Sequence, residues 1–226
     1  MSAIKYRRSN PYPTKNHGGV IVPEILVMHT TEGGGKAWLD GAFAGRDSGY
    51  KLSVHWCIYK DGEIVEYAPW QPGKAVQCFH AGESKWNRRS SCNKFSLGYE
   101  IQHAYGEPYP EAQVQAILHL NALVKKAYPN IKLVTHAEIA RPLGRKSDPT
   151  RPWTTDVWPR VKEAWEDTMP VTNIDPRTAK EAEADLAKIG LIDSPGKRNY
   201  DDSVGWGLVL EMLRRIAREA GLLPKP

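Results

Sequence analysis

Three polar side chains in this sequence stand at or near the ends of apolar stretches and are of types that can carry out hydrolysis. His29 follows the apolar run EILVM, Glu100 lies within SLGYEIQ, and His136 follows IKLVT. A side chain at the end of a strand projects from a rigid frame into a loop, which is where a reactive group is best held. An imidazole can bind a metal ion, and a carboxylate can accept a proton from water. The sequence therefore indicates a candidate catalytic site built from strand ends.

The segment THAEIARPLGRKSDP, residues 135–149, adds a basic pair and Asp148 to His136. Buried ionic groups are costly unless they are paired or bound to a metal ion. Together His29, His136 and Asp148 would offer two nitrogens and one oxygen, a set that suits zinc with one position left for water. The alternatives stay open at this point, because a strand-end histidine is often only hydrogen-bonded and an aspartate before proline often begins a turn.

Composition limits the class of protein. The chain has 226 residues, of which 41% are hydrophobic, enough for one domain of about 150 residues and a small appendage. It has no apolar run close to the roughly 20 residues that a membrane span needs. The start, MSAIKYRRSN, lacks the apolar stretch of a secretory signal, and three cysteines without close pairing favour a reducing compartment. We therefore expect synthesis in the cytoplasm and no membrane span.

The net charge of +5 comes from the N-terminal end of the chain. Residues 1–23 contain four Lys or Arg and no Asp or Glu, which predicts a basic N-terminal arm. Such an arm suits an anionic surface, and a solvated tail is the equally acceptable alternative. Because no recognised nucleic-acid motif accompanies the arm, we expect no nucleic-acid partner.

Hydrophobic periodicity predicts an α/β domain over residues 24–169, with a mixed β-sheet flanked by helices. The predicted strands are EILVMHT, two strands in LSVHWCIYKDGEIVEYA joined at a Lys-Asp-Gly turn, FSLGYEIQH and NIKLVTH; the predicted helices span 111–128 and 156–168. Residues 170–226 predict a small two-helix region, with helices over 175–189 and 203–220. Two helices alone bury little surface, so we expect them to dock on the first domain, on another copy or on a ligand.

Five motifs in a fixed order carry a resemblance to a known family: LVMHTT, SVHWCIYKDGEIVEYAP, FHAG, RSSCNKFSLGYEIQ and THAEIARPLGRKSDP. Through them, residues 24–168 resemble the type 2 family of zinc N-acetylmuramoyl-L-alanine amidases. The resemblance is strongest to the branch with the bacterial anhydromuropeptide amidase, and it extends to phage lysins and animal peptidoglycan-recognition proteins. Several linked motifs are more specific than any single one. The resemblance implies a mixed sheet flanked by helices and a zinc ion in a substrate groove.

Residue by residue, the resemblance implies that His29, His136 and Asp148 bind zinc. It places Glu100 where a carboxylate activates water and Lys146 where a cation faces the developing oxyanion. His80 and Asn93 match positions near the substrate groove, although each could instead fix a loop by hydrogen bonding.

The sequence also departs from the family pattern. About two extra residues lie near RPLG, and Thr150 stands where glycine is frequent. Phe79 replaces a frequent tryptophan before HAG, which bears on substrate contacts. Val54 occupies the position of a catalytic tyrosine in the phage and animal branch, so that role would fall to Glu100.

Other residues with chemical potential receive a lower rank. We interpret His55 as a core histidine, because it alternates with apolar neighbours on a strand, and TEGGGK as a groove wall, because it lacks the spacing of a phosphate loop. Four tryptophans could stack on sugars or simply be buried: Trp38, Trp70, Trp86 and Trp153.

The sequence thus predicts zinc-dependent hydrolysis of the amide bond between N-acetylmuramic acid and L-alanine in peptidoglycan. The basic arm and the C-terminal helices favour a phage endolysin that acts on the cell wall after release. A cytosolic recycling amidase for anhydromuropeptides and a non-catalytic peptidoglycan-binding module are the alternatives. The presence of Glu100 and Lys146 beside a full ligand set favours an enzyme, since a binding module needs neither.

Overall fold

The computed structural model describes residues 4–46, 51–150 and 152–167, together with the helical residues Ala184 and Ala187. The chain divides into two compact units, Met1–Thr168 and Met169–Pro226. The division lies close to the predicted boundary between residues 169 and 170. Apart from the two alanines, the helices predicted over 175–189 and 203–220 lie outside the described residues and stay predictions.

A mixed sheet of six strands lies at the centre of the described part of the first unit. Its strands, in spatial order, are β1 (Tyr6–Arg8), β4 (Ile64–Glu66), β3 (Trp56–Ile58), β7 (Ser96–Ile101), β2 (Ile25–Thr30) and β8 (Lys132–Thr135). The pair β3–β4 is antiparallel and the other neighbouring pairs are parallel. A separate two-stranded hairpin consists of β5 (Lys85–Trp86) and β6 (Arg89–Ser90). The predicted mixed sheet is confirmed.

Four α-helices accompany the sheet in the described residues: α1 (Lys36–Phe43), α2 (Glu111–Ala127), α3 (His136–Ile139) and α4 (Trp158–Asp167). The apolar residues of α2 recur every three or four positions, and Val114, Ile117 and Leu120 are buried in the main core. A π-helical turn at Trp153–Val157 leads into α4. Within the described residues, no helix combines the length and apolar character that crossing a membrane would require.

Strand β2 shows why an apolar run precedes His29. It lies between β7 and β8, and all six of its residues are buried. Leu26 and Met28 face one core cluster, whereas Ile25 and Val27 face another. A strand buried on both faces needs apolar residues at every position, because successive side chains point to opposite sides.

Three residues of the N-terminal segment predicted as a basic arm, Tyr6–Arg8, are a strand of the sheet. Strand β1 pairs in parallel with β4, and the first compact unit includes this segment. The hydroxyls of Tyr6 and Tyr12 and the indole N–H of Trp70 all donate to the buried carboxylate of Glu66. Charge counting missed this pairing because it joins residues far apart in the sequence, such as Tyr6 and Ile64.

Candidate active site

Strand geometry brings the three predicted groups to one edge and one face of the sheet. The neighbouring strands β7, β2 and β8 run parallel, so their carboxyl ends meet at the same edge. His29 is paired in register with Glu100. Because side chains alternate along a strand, His29 lies on the same face as Ile25 and Val27.

A capping box fixes the position of His136. Thr135 is the N-cap of α3, and its hydroxyl accepts a hydrogen bond from the backbone N–H of Glu138. The carboxylate of Glu138 in turn accepts from the backbone N–H of Thr135 at 2.6 Å. The reciprocal bonds satisfy two N–H groups at the helix start. His136 is consequently the first residue of a capped turn and projects from the end of β8.

The loop between α3 and Asp148 is braced by Arg145. The guanidinium of Arg145 donates to the carbonyl oxygens of Arg141 and Glu83, both at 2.7 Å. The backbone N–H of Ala137 donates to the carbonyl of Asp148 at 3.0 Å, which ties the loop end to α3. Both residues of the basic pair line the cavity at this site, and Arg145 in addition organises the loop backbone.

His29, His136 and Asp148 converge, and all three are buried. One candidate ligand atom from each residue lies within 4.8 Å of the other two. The Oδ2 atom of Asp148 is 3.0 Å from Nδ1 of His136 and 3.5 Å from Nδ1 of His29. Two imidazoles and one carboxylate around one point form a candidate metal site of the kind that zinc enzymes use.

The remaining ring nitrogens of both histidines have their own partners. Nε2 of His136 lies 3.3 Å from the carbonyl oxygen of Ala81, and Nε2 of His29 lies 2.9 Å from Nδ1 of His80. Nε2 of His80 is 3.2 Å from the hydroxyl of Ser96. When Nε2 carries the proton, Nδ1 presents a lone pair on the side of Asp148, as metal binding requires; in the absence of a metal ion, an Nδ1–H group can instead donate to the Asp148 carboxylate. The donor set therefore fits a zinc ion.

The electrostatics of the three groups also suit a metal ion. Burial lowers the pKa of His29 to about 4, so its ring is neutral at pH 7, the form that binds metal. Burial opposes ionisation of Asp148, but the hydrogen bonds from His136 and His29 outweigh it and hold the pKa of Asp148 well below its usual range. The site thus combines neutral imidazole with an ionised carboxylate.

A cavity of about 290 Å³ opens onto His136 and Asp148, two of these groups. Its lining includes His136, Asp148, Glu100 and Lys146, and an apolar wall from Leu39 and Phe43 of α1 and from Leu52. Glu100 is only 9% exposed, and its Oε2 atom has no hydrogen-bond partner within the described residues. Burial and then the negative charge of Asp148 raise the pKa of Glu100 well above its ordinary value. The cavity therefore holds a candidate proton acceptor and one exposed ammonium beside the candidate metal site.

His80 and Asn93 contact residues next to the candidate metal site and not the cavity alone. His80 is buried and contacts His29 and Ser96, although it also forms part of the cavity lining. The side-chain oxygen of Asn93 accepts from the backbone N–H groups of His80 and Ala81 at 3.1 and 2.9 Å. These contacts favour the loop-fixing interpretation of Asn93 and a supporting role for His80 over direct substrate binding.

Glycine at position 98 makes room for the His80 ring. A Cβ atom added to Gly98 would lie 2.5 Å from two atoms of that ring, closer than any side chain tolerates. Only a residue without a side chain at position 98 therefore allows the His80 ring to lie in contact with His29.

The residues that received a lower rank in the sequence differ in burial and in their contacts. His55 has backbone partners on both ring nitrogens, Val76 at 2.9 Å and Gly98 at 3.1 Å, as a core histidine should. Trp70 and Trp153 are buried, Trp38 is 57% exposed at the cavity, and Trp86 lines a separate hollow of about 400 Å³.

Sequence reasoning missed Glu32, a second acidic residue of the cavity lining. It follows β2 by two residues, and its Oε1 atom accepts from the hydroxyl of Thr30 at 3.0 Å. A carboxylate so close behind a strand-end histidine was the available signal. The glycines that follow it, at 33–35, directed attention to the loop backbone instead.

The sequence and the fold are both similar to those of known proteins. The family model described as N-acetylmuramoyl-L-alanine amidase matches residues 20–151, more than half of the chain. The chain belongs to this family. The match includes His29, Glu100, His136, Lys146 and Asp148, all of which lie within those residues.

Relatives of this amidase carry a more specific name. This chain is 32% identical over 145 residues to the 1,6-anhydro-N-acetylmuramyl-L-alanine amidase AmpD of Escherichia coli strain K12. The match covers 56% of this chain and 75% of the relative. The chain is 34% identical over 146 residues to AmpD of Citrobacter freundii, covering 56% of this chain and 74% of that protein.

Solved structures share the fold of this amidase. The crystal structure of a selenomethionine derivative of AmpD matches with a TM-score of 0.60 and 28% identity, covering 73% of this chain and 96% of that one. The endolysin of bacteriophage Ph2119 from Thermus scotoductus matches with a TM-score of 0.52 and 21% identity, covering 71% and 99%. At that identity the second likeness concerns the fold alone.

Proposed function

We propose that this chain is a zinc-dependent amidase that cleaves the bond between N-acetylmuramic acid and L-alanine in soluble 1,6-anhydromuropeptides. The observation that carries the proposal is the convergence of His29, His136 and Asp148, two of which line one cavity together with Glu100 and Lys146. The name shared by relatives that are 32–34% identical supports the anhydromuropeptide as substrate.

Zinc is the metal that best fits the donor set. His29 and His136 would bind it through Nδ1, because the Nε2 atom of each already has a partner, and Asp148 would bind it through a carboxylate oxygen. When bound, zinc supplies Lewis-acid activation of water and of the scissile carbonyl.

Glu100 would hold and move the proton. Its buried carboxylate has one oxygen without a partner in the described residues, so that oxygen is free to accept a proton from the attacking water. The raised pKa of Glu100 helps it to keep that proton until the leaving nitrogen of L-alanine takes it. One carboxylate can then serve as the base in the first half of the reaction and the acid in the second.

Lys146 would stabilise charge on the carbonyl oxygen. It lies two residues before Asp148 and lines the same cavity, with an exposed side chain that can reach a bound substrate. A cation aimed at an oxygen that becomes negative only in the transition state lowers the barrier without tightening ground-state binding.

The relatives favour a recycling-type amidase over the endolysin that the sequence suggested. The expected basic arm belongs in part to the sheet, so it offers less for attachment to an anionic wall. The other feature behind the endolysin hypothesis, the helices of residues 170–226, lies almost entirely outside the described residues. The similarity to solved endolysins is a similarity of fold.

The proposal is tested by giving the zinc-loaded protein two substrates at equal concentrations of scissile amide. One is a soluble 1,6-anhydromuropeptide and the other is intact sacculi. We expect release of a peptide with a free L-alanine N-terminus from the soluble substrate, little clearing of sacculi, loss of activity with a chelator and recovery with zinc. Clearing of sacculi with the soluble substrate left intact would establish the endolysin instead. Binding of muropeptide without cleavage would indicate a binding module.

A further inference from the structure

Glu32 is a charged group of the cavity that the proposed hydrolysis does not use. It lies in the loop between β2 and α1 and lines the cavity together with Glu100 and Lys146. Unlike Glu100, Glu32 is solvent-exposed. A substrate that fills the cavity would therefore meet this carboxylate at the cavity rim.

The backbone at Glu32 has a conformation that normally selects glycine. Its φ is 53°, in the left-handed region, although Gly33 and Gly34 follow directly. A non-glycine residue held in this region beside a site is a reason to look for a function of its side chain. Hydrogen bonds to His103 fix the loop: the backbone N–H of Gly33 donates to its carbonyl at 2.7 Å, and the hydroxyl of Thr31 donates at 3.3 Å.

Hydroxyl groups orient the carboxylate of Glu32, and no ion pair is formed with it by the described residues. Its Oε1 atom accepts from the hydroxyl of Thr30 at 3.0 Å and lies 3.5 Å from the hydroxyl of Thr150. Within the described residues its partners are these hydroxyls, and no cation pairs with it. Two neutral donors on one oxygen hold the group in place and leave the second oxygen for a ligand.

The chemistry of the substrate decides which cation could reach Glu32. The sugar of a muropeptide carries hydroxyl and acetamido groups, and the amine of L-alanine is tied up in the scissile amide. A primary ammonium in the intact substrate can only come from a diamino acid further along the peptide. In the proposed function Lys146 and the candidate metal site act on the carbonyl, which leaves the exposed carboxylate of Glu32 available for the peptide.

We infer that Glu32 is a specificity-determining residue that pairs with a side-chain ammonium on the peptide of the substrate. The inference rests on the proposed function, because the ammonium belongs to the peptide that cleavage releases. An exposed ion pair contributes modestly, so the pairing selects among peptides and is not required for hydrolysis.

The test uses two soluble muropeptides that are identical except that the side-chain amine is free in one and acetylated in the other. For the zinc-loaded full chain we expect kcat/KM to be about two- to five-fold higher for the free amine, mainly through KM, since exposed ion pairs are of this strength. The preference should shrink as salt rises, because salt screens exposed charges. In Glu32→Gln, which keeps the size and one oxygen acceptor, the ratio should fall to about one.

The matched control is Glu163→Gln, which removes the same charge from an exposed position on α4 that does not line the cavity. It should keep the preference for the free amine. Zinc content and melting temperature of both variants show whether each is folded. A preference that persists in Glu32→Gln, or equal wild-type rates on the two muropeptides, would overturn the inference alone. Cleavage of neither muropeptide by the wild type would instead overturn the proposed function, and the inference with it.

Discussion

The surroundings of His29 and His55 differ in a way that burial does not reveal. Both rings are buried, and burial lowers the pKa of each to about 4. His55 is enclosed by backbone, with Gly98 donating to Nδ1 and the carbonyl of Val76 bound at Nε2. His29 instead has side-chain partners, Asp148 on one nitrogen and His80 on the other. A candidate metal ligand is therefore recognised by a lone pair directed toward other ligands, whereas a core histidine has both nitrogens satisfied by backbone.

The two surroundings also differ in charge. Asp148, Glu100 and Lys146 gather around the edge of the sheet that holds His29. At His55, the hydrogen bonds that oppose the effect of burial on the pKa come from backbone groups of Val76 and Gly98. A charge-rich surrounding is costly unless it performs a function, which supports the assignment of chemistry to the His29 region.

Replacing each histidine in turn is the strongest test of this difference between His29 and His55. His29→Ala should lose the bound zinc and, with it, essentially all amidase activity, because one of three ligands is gone. His55→Asn should keep about one zinc per chain while the free energy of unfolding falls by about 1–3 kcal/mol, since buried backbone groups lose a partner. Metal analysis and denaturant unfolding of both purified variants provide the measurement. Loss of zinc in His55→Asn, or its full retention in His29→Ala, would contradict the contrast.

Removing the proton acceptor should separate chemistry from metal binding. Glu100→Gln keeps the shape of the side chain but cannot accept a proton, so turnover should fall by about two orders of magnitude or more. Zinc content should stay at the wild-type level, because Glu100 is not among the three converging groups. Steady-state kinetics on a soluble muropeptide, with metal analysis of the same sample, test this. Turnover near that of the wild type would show that another group accepts the proton.

Substitutions of the two neighbouring cations after α3, Arg145 and Lys146, should have different effects. Lys146→Ala should lower turnover by about 100-fold, the usual result of losing one oxyanion-stabilising group, and leave the melting temperature unchanged. Arg145→Ala removes the brace to the carbonyls of Arg141 and Glu83, so it should lower the melting temperature and weaken zinc binding through Asp148. Kinetics, thermal melting and zinc titration on both variants distinguish the two effects. Identical behaviour would mean that the pair acts as one structural unit.

Much of the fold followed from sequence pattern, because the fully buried strands β2 and β7 contain apolar runs and the helix α2 has strong three-to-four periodicity. Strand β1 was missed because it has only three residues, two of them arginines, and its pairing with β4 is a long-range contact. Helix α1 was missed because it has only eight residues and contains Gly41. Helix α3 carried its signal openly in THAE, the pattern of a capping box.

The residue types of the candidate site could be predicted from the sequence, but the contacts that hold those residues in place could not. The convergence of His29, His136 and Asp148 agrees with the ligand set that the family resemblance implied. The positive φ of Glu32 and the contact between His80 and His29 could not be derived from residue types, because both depend on how separate loops meet.

The smallest effects are expected along the chain of contacts behind His29. His80→Asn removes the direct partner of His29, and zinc affinity should fall by about 10- to 100-fold, as is usual for groups that orient a metal ligand. Ser96→Ala lies one step further out, at 3.2 Å from His80, so its effect on zinc affinity should stay below about ten-fold. Competitive zinc titration against a chromophoric chelator measures both changes.

The matched control for the outer step is Ser9→Ala, a buried serine whose hydroxyl donates to the carbonyl of Pro11 at 2.7 Å, next to β1. Each serine variant loses one buried hydrogen bond, worth about 1 kcal/mol of folding stability, but only Ser96 is connected to the candidate metal site. Equal zinc affinity in Ser96→Ala and Ser9→Ala would show that the support of His29 ends at His80. A graded loss, larger at His80 and smaller at Ser96, would show that the contacts of β7 extend the site beyond the residues that line the cavity.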